Sequence, residues 1–217
     1  MVGAADLRAV VPGNELVKFA DDTYIVIPAA NDTSRQAELN NVEEWALENN
    51  LKVNTAKFAE IVFVDSRKKK TAQPPPPLPG IVRVTVLKIL GVTFTNSLSV
   101  AEHIHAVISS CAQTLYALRV LRAHGMDDVS LQTIYRSVII AKLMHASSAW
   151  WGFASASDRQ RIAAFIRRSD RSRFVPVSLP TFTDMCQDAD EKLFGAITSD
   201  SHHVLNHLLD LEAGHCP

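Results

Sequence analysis

Four consecutive prolines, Pro74–Pro77, sit inside the stretch "TAQPPPPLPG" and restrict everything around them. Each lacks a backbone N–H and has φ fixed at about −65°, so the run can be neither a helix interior nor a central strand. Extended polyproline II is the conformation left to it. The loop 66–80, "SRKKKTAQPPPPLPG", therefore divides the chain. Short β-prone runs and one helix precede it, two short strands follow it, and beyond Asn96 the apolar spacing becomes helical. The expected fold class is α+β, with a strand-rich part over residues 1–95 and a helical part over 96–217.

In the first part, Leu16–Ala20 and Thr23–Ile27 read as strands joined by Asp21-Asp22, a tight hairpin whose turn Asp tolerates well. Leu39, Val42, Trp45 and Ala46 repeat at helical spacing, with Asp32 as the expected N-cap and Asn49-Asn50 as the stop. Ala59–Asp65 reads as a strand. "VRVTVLKILGVTF" reads as two short strands with a bend near Lys88 and a glycine at Gly91.

In the second part, Ser99–Glu102 has the form of a capping box. The helix it opens carries Ile104, Val107/Ile108, Cys111, Leu115, Leu118 and Leu121 inward and stops at Gly125. A second helix runs from about Asp128 through Met144, with Leu131, Ile134/Tyr135, Val138 and Ala141 inward. Ser155 or Ser157 caps a third, in which Ile162, Phe165 and Ile166 face inward. Two short helices follow, in "TDMCQDADEKLFGAI" and "SHHVLNHLLDL".

Charge is uneven along the chain although the sum is −1. Residues 1–65 carry −6, 66–95 carry +6, 96–183 carry +5 and 184–217 carry −6. A basic middle between acidic ends is compatible with a polyanion groove. Three scattered cysteines, Cys111, Cys186 and Cys216, do not make a disulfide framework and point to a reducing, intracellular compartment. No secretory signal pattern opens the sequence, and "VIIAKLMHASSAWWGFA", interrupted by Lys142 and His145, reads as a buried helix end. No membrane partner is expected.

Adjacent acids between apolar runs suit one job. Hard divalent cations need several oxygen ligands, and they offset the repulsion between neighbouring carboxylates. A pair of such ions clamps the attacking and leaving oxygens of a phosphoryl transfer. A bare Asp-Asp pair is more often an exposed turn, and its surroundings decide the matter. "KFADDTYIVIP" resembles the (Y/F)-A-D-D hairpin of reverse transcriptases of non-LTR, LINE-like retrotransposons of the jockey and tick-transposon type. "WALENNLKVNTAKFAEIVF" (Trp45–Phe63) is similar to the helix–strand segment that follows in that family, and "LKILGVTF" (Leu87–Phe94) to its primer-grip strand. "LSVAEHI", "LYALRVLRAHG" and "AKLMHASSAWWGFASASDRQRIAAFIRR" resemble its thumb and connector helices. The likeness runs from about Asp6 to about Leu209.

The resemblance implies a partial polymerase palm over 1–95 and a thumb and connector over 96–217. The parent activity would be RNA-directed DNA synthesis with Mg2+ or Mn2+, on an RNA template and DNA primer hybrid with dNTP. Asp21 matches the metal-binding aspartate and Asp22 its partner. Phe19 and Ala20 match the residues under the primer end, Lys57 a lysine near the incoming nucleotide's phosphates, and Leu90 and Gly91 the primer grip. The family's site also needs a third carboxylate well upstream of the hairpin. Only 20 residues precede Asp21 here, so the chain alone is expected not to polymerise DNA. The alternative is a non-catalytic nucleic-acid-binding or structural remnant of a transposon.

Arg161, Arg167 and Arg168, within a larger arginine cluster, are the candidate phosphate contacts. "RKKK" (Arg67–Lys70) leaves a nuclear address open. Pro76 and Pro79 have P-x-x-P spacing but no Lys or Arg at a flank, so a linker is the default reading. His203 and His207, with Cys186 and His215-Cys216, make a weak zinc pattern that lacks any C-x-x-C.

Overall fold

The computed structural model describes residues 6–64 and 74–209, and the fold is α+β. Asp65, the Arg67–Lys70 run and His215-Cys216 lie outside the described residues. The chain divides into two compact units, Met1–Thr85 and Val86–Pro217.

In the first unit, β1 (Glu15–Phe19) pairs antiparallel with β2 (Asp22–Val26), Glu15 opposite Val26 and Phe19 opposite Asp22. Both strands begin and end one residue earlier than the sequence suggests. The two-residue turn is consequently Ala20-Asp21, and Asp22 already belongs to the ladder. The left-handed position falls on Ala20, at φ +54°, instead of on an aspartate. A 3-10 turn, Ala29–Ser34, leads into α1 (Arg35–Glu48). Asp32 therefore lies inside that turn and caps nothing. Ser34 occupies the cap position, but its hydroxyl donates to the Asn31 carbonyl at 2.7 Å and accepts from Asn14 Nδ2 at 2.9 Å. The helix stops where expected. Asn50 is left-handed at φ +55°, and the Asn50 and Leu51 N–H groups return to the Leu47 and Ala46 carbonyls, a Schellman ending. β3 (Ala59–Ile61) is shorter than the expected strand and pairs in parallel with β4 (Val82–Val84), Glu60 beside Arg83.

The second unit begins with a hairpin, β5 (Val86–Ile89) and β6 (Val92–Thr95). With β4, the segment thus supplies three strands where the sequence suggested two. Lys88 lies inside β5, opposite Thr93, and the turn is Leu90-Gly91. Both turn residues are left-handed, at φ +46° and +91°, as a two-residue hairpin of this kind requires.

α2 (Ala101–Ala123) has Val100 at its cap position, and the Ser99–Glu102 box does not form. Ser99 instead accepts the Ala101 N–H at 3.3 Å while its own N–H is held by Thr95 Oγ1. The apolar stripe of α2 is long enough to cross a membrane by length and composition, but Ile104, Cys111, Leu115 and Leu118 are buried and Leu121 at its end is exposed. Gly125, at φ +90°, ends it.

α3 (Asp128–Ile134), capped by Asp127, runs through a π-helical turn, Tyr135–Ile140, into α4 (Ala141–Met144). That turn corrects the sequence reading. A π turn inserts an extra residue into the helical repeat, so the inward face slips beyond Tyr135. Ile139, Ile140 and Leu143 are buried, while Val138 and Ala141 face outward.

α5 (Ser147–Trp150) and the 3-10 turn Trp151–Phe153 carry two tryptophans into the core, where they pack with Phe182 and, from Trp150, with His103. α6 (Ala156–Arg171) opens on a Ser155–Asp158 capping box, and α7 (Phe182–Ser199) on a Thr181 cap. α2 packs against α6, the π turn and β6. Among the described residues the final expected helix does not form. His203 lies in turns and His207 in a 3-10 turn, Asn206–Leu208, so the two are not one helical turn apart.

Candidate functional site

The hairpin β1–β2 positions the first candidate group. Val17 pairs with Tyr24 and Phe19 with Asp22 across the ladder. The ladder ends there, so Asp21 stands at the tip with Asp22 beside it, and both are exposed. Asp22 Oδ2 accepts a long bond from the Tyr24 hydroxyl at 3.4 Å. Phe19 is 60 % exposed. Ala20 holds a left-handed conformation that costs a non-glycine residue roughly 1–2 kcal/mol.

Lys57 closes a 3-10 turn, Thr55–Lys57, between α1 and β3, and is exposed. No ion pair joins it to Asp21 or Asp22 among the described residues. A magnesium ion takes about six oxygens, commonly one or two carboxylates plus water and substrate phosphates. The tip offers two carboxylates from one direction. Among the described residues, no three His, Cys, Asp or Glu side chains converge as a metal site needs. The donors present fit one side of such a site and do not complete it.

The second group lies in the other unit, on the outer face of α6. Ser157, Gln160, Arg161, Ala164 and Arg167 line one shallow concavity, and Ala164, Arg167, Arg168 and Arg171 line another. These positions recur every three or four residues, one stripe of a helix. Ala164 provides the notch between arginines. Arg167, Arg168 and Arg171 are exposed and form no ion pair among the described residues. Arg161 is more committed: it meets Asp158 at 3.3 Å and donates to His105 Nδ1 at 2.9 Å. Arg159, from the same cluster, lies over the Trp151 ring at 4.6 Å and serves the fold.

Leu90 and Gly91 form the β5–β6 turn. The position a Cβ on Gly91 would take lies 3.1 Å from His145 Nε2, and that nitrogen is 3.4 Å from the Leu90 carbonyl. The turn is thus backed by α4's end, and glycine is required there for both φ and room. His103, nearby, has its pKa lowered by burial first, and then by His145 and Lys88.

Two carboxylates escaped the sequence reading. Glu38 is fully buried and accepts from the Val10 and Val11 N–H groups at 3.0 and 2.9 Å and from Asn14 Nδ2 at 2.8 Å. Burial pushes its pKa up, and the bonds from Asn14, Val11 and Val10 together outweigh that, holding it below the usual range. Glu60 pairs with Arg35 at 2.6 Å and Arg83 at 2.7 Å. Burial again acts upward, and the two guanidinium groups prevail, so its pKa is also lowered. Glu38 left one signal: it stands four residues before Val42, on the apolar stripe of α1.

No family model matches the chain, no curated protein matches it, and no solved structure matches it.

Proposed function

We propose that this chain is part of the reverse transcriptase of a non-LTR retrotransposon. Residues 1–95 supply the later part of the palm, and 96–217 the thumb and connector helices. Asp21 and Asp22 are its share of a Mg2+ or Mn2+ site. The observation that carries this reading is the hairpin: a tight β-turn displays adjacent exposed acids inside the motif "FADD". The order of the similar motifs further along the chain supports it, and so does the exposed arginine stripe of α6, which suits a phosphate backbone. When bound, the metal would stabilise charge on the transferring phosphoryl group.

What the chain's own residues do is narrower. The tip holds two carboxylates together, and α6 presents Arg167 and Arg168 for the hybrid, in a compartment inside the cell. Because the tip supplies ligands from one side only, the 217 residues alone do not polymerise. Primer extension on a homopolymer template with Mg2+ or Mn2+ tests this: no incorporation is expected, and incorporation abolished by Asp21→Ala would overturn it. A second reading, a nucleic-acid-binding remnant without catalytic descent, is favoured by the same arginine stripe. It would gain if an RNA/DNA hybrid bound no better than any other polyanion of equal charge.

A further inference from the structure

The proline run is ordered in a way that a plain linker does not need. Pro75 and Leu78 are half-buried, whereas Pro74, Pro76, Pro77 and Pro79 are exposed. The three-residue spacing of Pro75 and Leu78 matches the period of polyproline II, the conformation that consecutive prolines impose. One edge of the three-sided helix, Pro75 and Leu78, faces the protein. The two remaining edges, Pro74/Pro77 and Pro76/Pro79, face outward and consist of proline alone.

The segment is anchored by its backbone. Arg83 donates to the Pro75 carbonyl at 2.5 Å and Arg35 to the Pro76 carbonyl at 3.1 Å. Glu60 holds both arginines through its two carboxylate oxygens. The run ends in a turn in which the Ile81 N–H donates to the Leu78 carbonyl at 3.2 Å, with Pro79 and Gly80 at the centre. Gly80 is left-handed at φ +76°, and a Cβ there would touch nothing; glycine is present for conformation, as in a type II turn.

We propose that Pro74–Pro79 is a docking ligand for a proline-recognition domain of another protein, one whose groove is lined with aromatic rings and reads proline edges without an accompanying cation. Such grooves take the edges of a polyproline II helix, and a helix already held in place loses little entropy on binding. The two guanidinium groups that touch the run are 15 % and 22 % exposed and both engaged with Glu60. They cannot serve an acidic specificity pocket, so a WW-type groove fits and an SH3 groove that relies on a flanking cation does not.

The test titrates an isolated WW domain into the full 15N-labelled chain, with an SH3 domain as comparison. The prolines carry no N–H, so saturable shifts are expected with the WW domain at the amides of Leu78, Gly80 and Ile81 and of Arg35 and Arg83, which touch the run. Pro76→Ala/Pro79→Ala should weaken binding by about tenfold or more, equivalent to about 1.4 kcal/mol. Pro74→Ala/Pro77→Ala, on the other outward edge, should weaken it similarly. Both double variants are exposed substitutions, and an unchanged circular dichroism spectrum verifies that the fold is kept. The proposal is overturned by no saturable binding at millimolar WW domain, by binding that both double variants leave unchanged, or by tighter binding of the SH3 domain.

Discussion

Among the described residues of Met1–Thr85, the buried hydrophobic side chains are Leu7 and Ala46, whereas those of Val86–Pro217 number 20, from Val92 to Ile197. The first unit fixes its backbone with acids instead. Glu38 ties residues 10–14 to α1, Glu60 ties α1, β4 and the proline run together, and Asp6 accepts from Trp45 Nε1 at 3.1 Å. Meanwhile Val17, Phe19, Val26, Leu47 and Phe63 remain at least 48 % exposed. An isolated two-stranded hairpin is marginal in water, so polar locks carry a share here that packing carries in the second unit. The two units should therefore fail in different ways.

The largest effect should come from the apolar unit. Phe165→Ala removes a ring that is 2 % exposed and should cost about 3–5 kcal/mol. A urea titration followed by circular dichroism at 222 nm would show the loss. A fall of under about 1 kcal/mol would mean that this core does not carry the unit. In the acid-locked unit, Glu38→Ala leaves two backbone N–H groups and an amide without their acceptor, and should cost about 2–3 kcal/mol. Hydrogen exchange should accelerate at Val10, Val11 and α1 and leave α2 and α6 unchanged.

Acid should separate the units without mutation. The Glu38 and Glu60 carboxyls both lie below their ordinary value of 4.5. Their stabilisation is complete above that pH and is lost as pH falls through the lowered values. Limited proteolysis with pepsin below pH 4.5 should cut residues 6–64 before α2 or α6. The reverse order would contradict the contrast between the units.

Smaller effects follow. Gly91→Ala forces a Cβ toward His145 at φ +91° and should lower stability by about 1–2 kcal/mol. Arg167→Ala/Arg168→Ala should change stability by less than about 0.5 kcal/mol. The same pair should weaken RNA/DNA hybrid binding and reduce its salt slope by about 1–2. Fluorescence anisotropy at several salt concentrations measures both quantities.

The contrast also explains which features could be read from the residues. Helices of the second unit were legible because apolar spacing repeats over many turns, as in Ile104, Cys111, Leu115 and Leu118. The inward face beyond Tyr135 was not, because a π turn leaves no mark in a 3.6-residue pattern. The β1–β2 hairpin was legible, but its register was off by one residue, since Asp-Asp is a more ordinary turn pair than Ala-Asp. Ser99 and Asp32 show the limit of capping signals: Ser99 bonds locally to Ala101 and Thr95, and Asp32 falls inside a 3-10 turn that precedes the helix. Glu60 left no mark and Glu38 only its place on the apolar stripe of α1, because a carboxylate's burial depends on donors far away in sequence, at Val10 and Arg83. At the candidate site, Asp21 and Asp22 could be picked out from their motif and the α6 arginines from their clustering, whereas which arginines share one exposed stripe emerged only with the helix face.

The most direct measurement reads the genomic DNA immediately upstream and, where it holds an open frame, joins this chain to it and follows primer extension on a homopolymer template with Mg2+ or Mn2+. Incorporation that Asp21→Ala abolishes is expected from the extended chain, and none from the 217 residues alone. A folded extended chain that incorporates nothing, or whose incorporation survives Asp21→Ala, would contradict the assignment of the hairpin acids to a polymerase metal site.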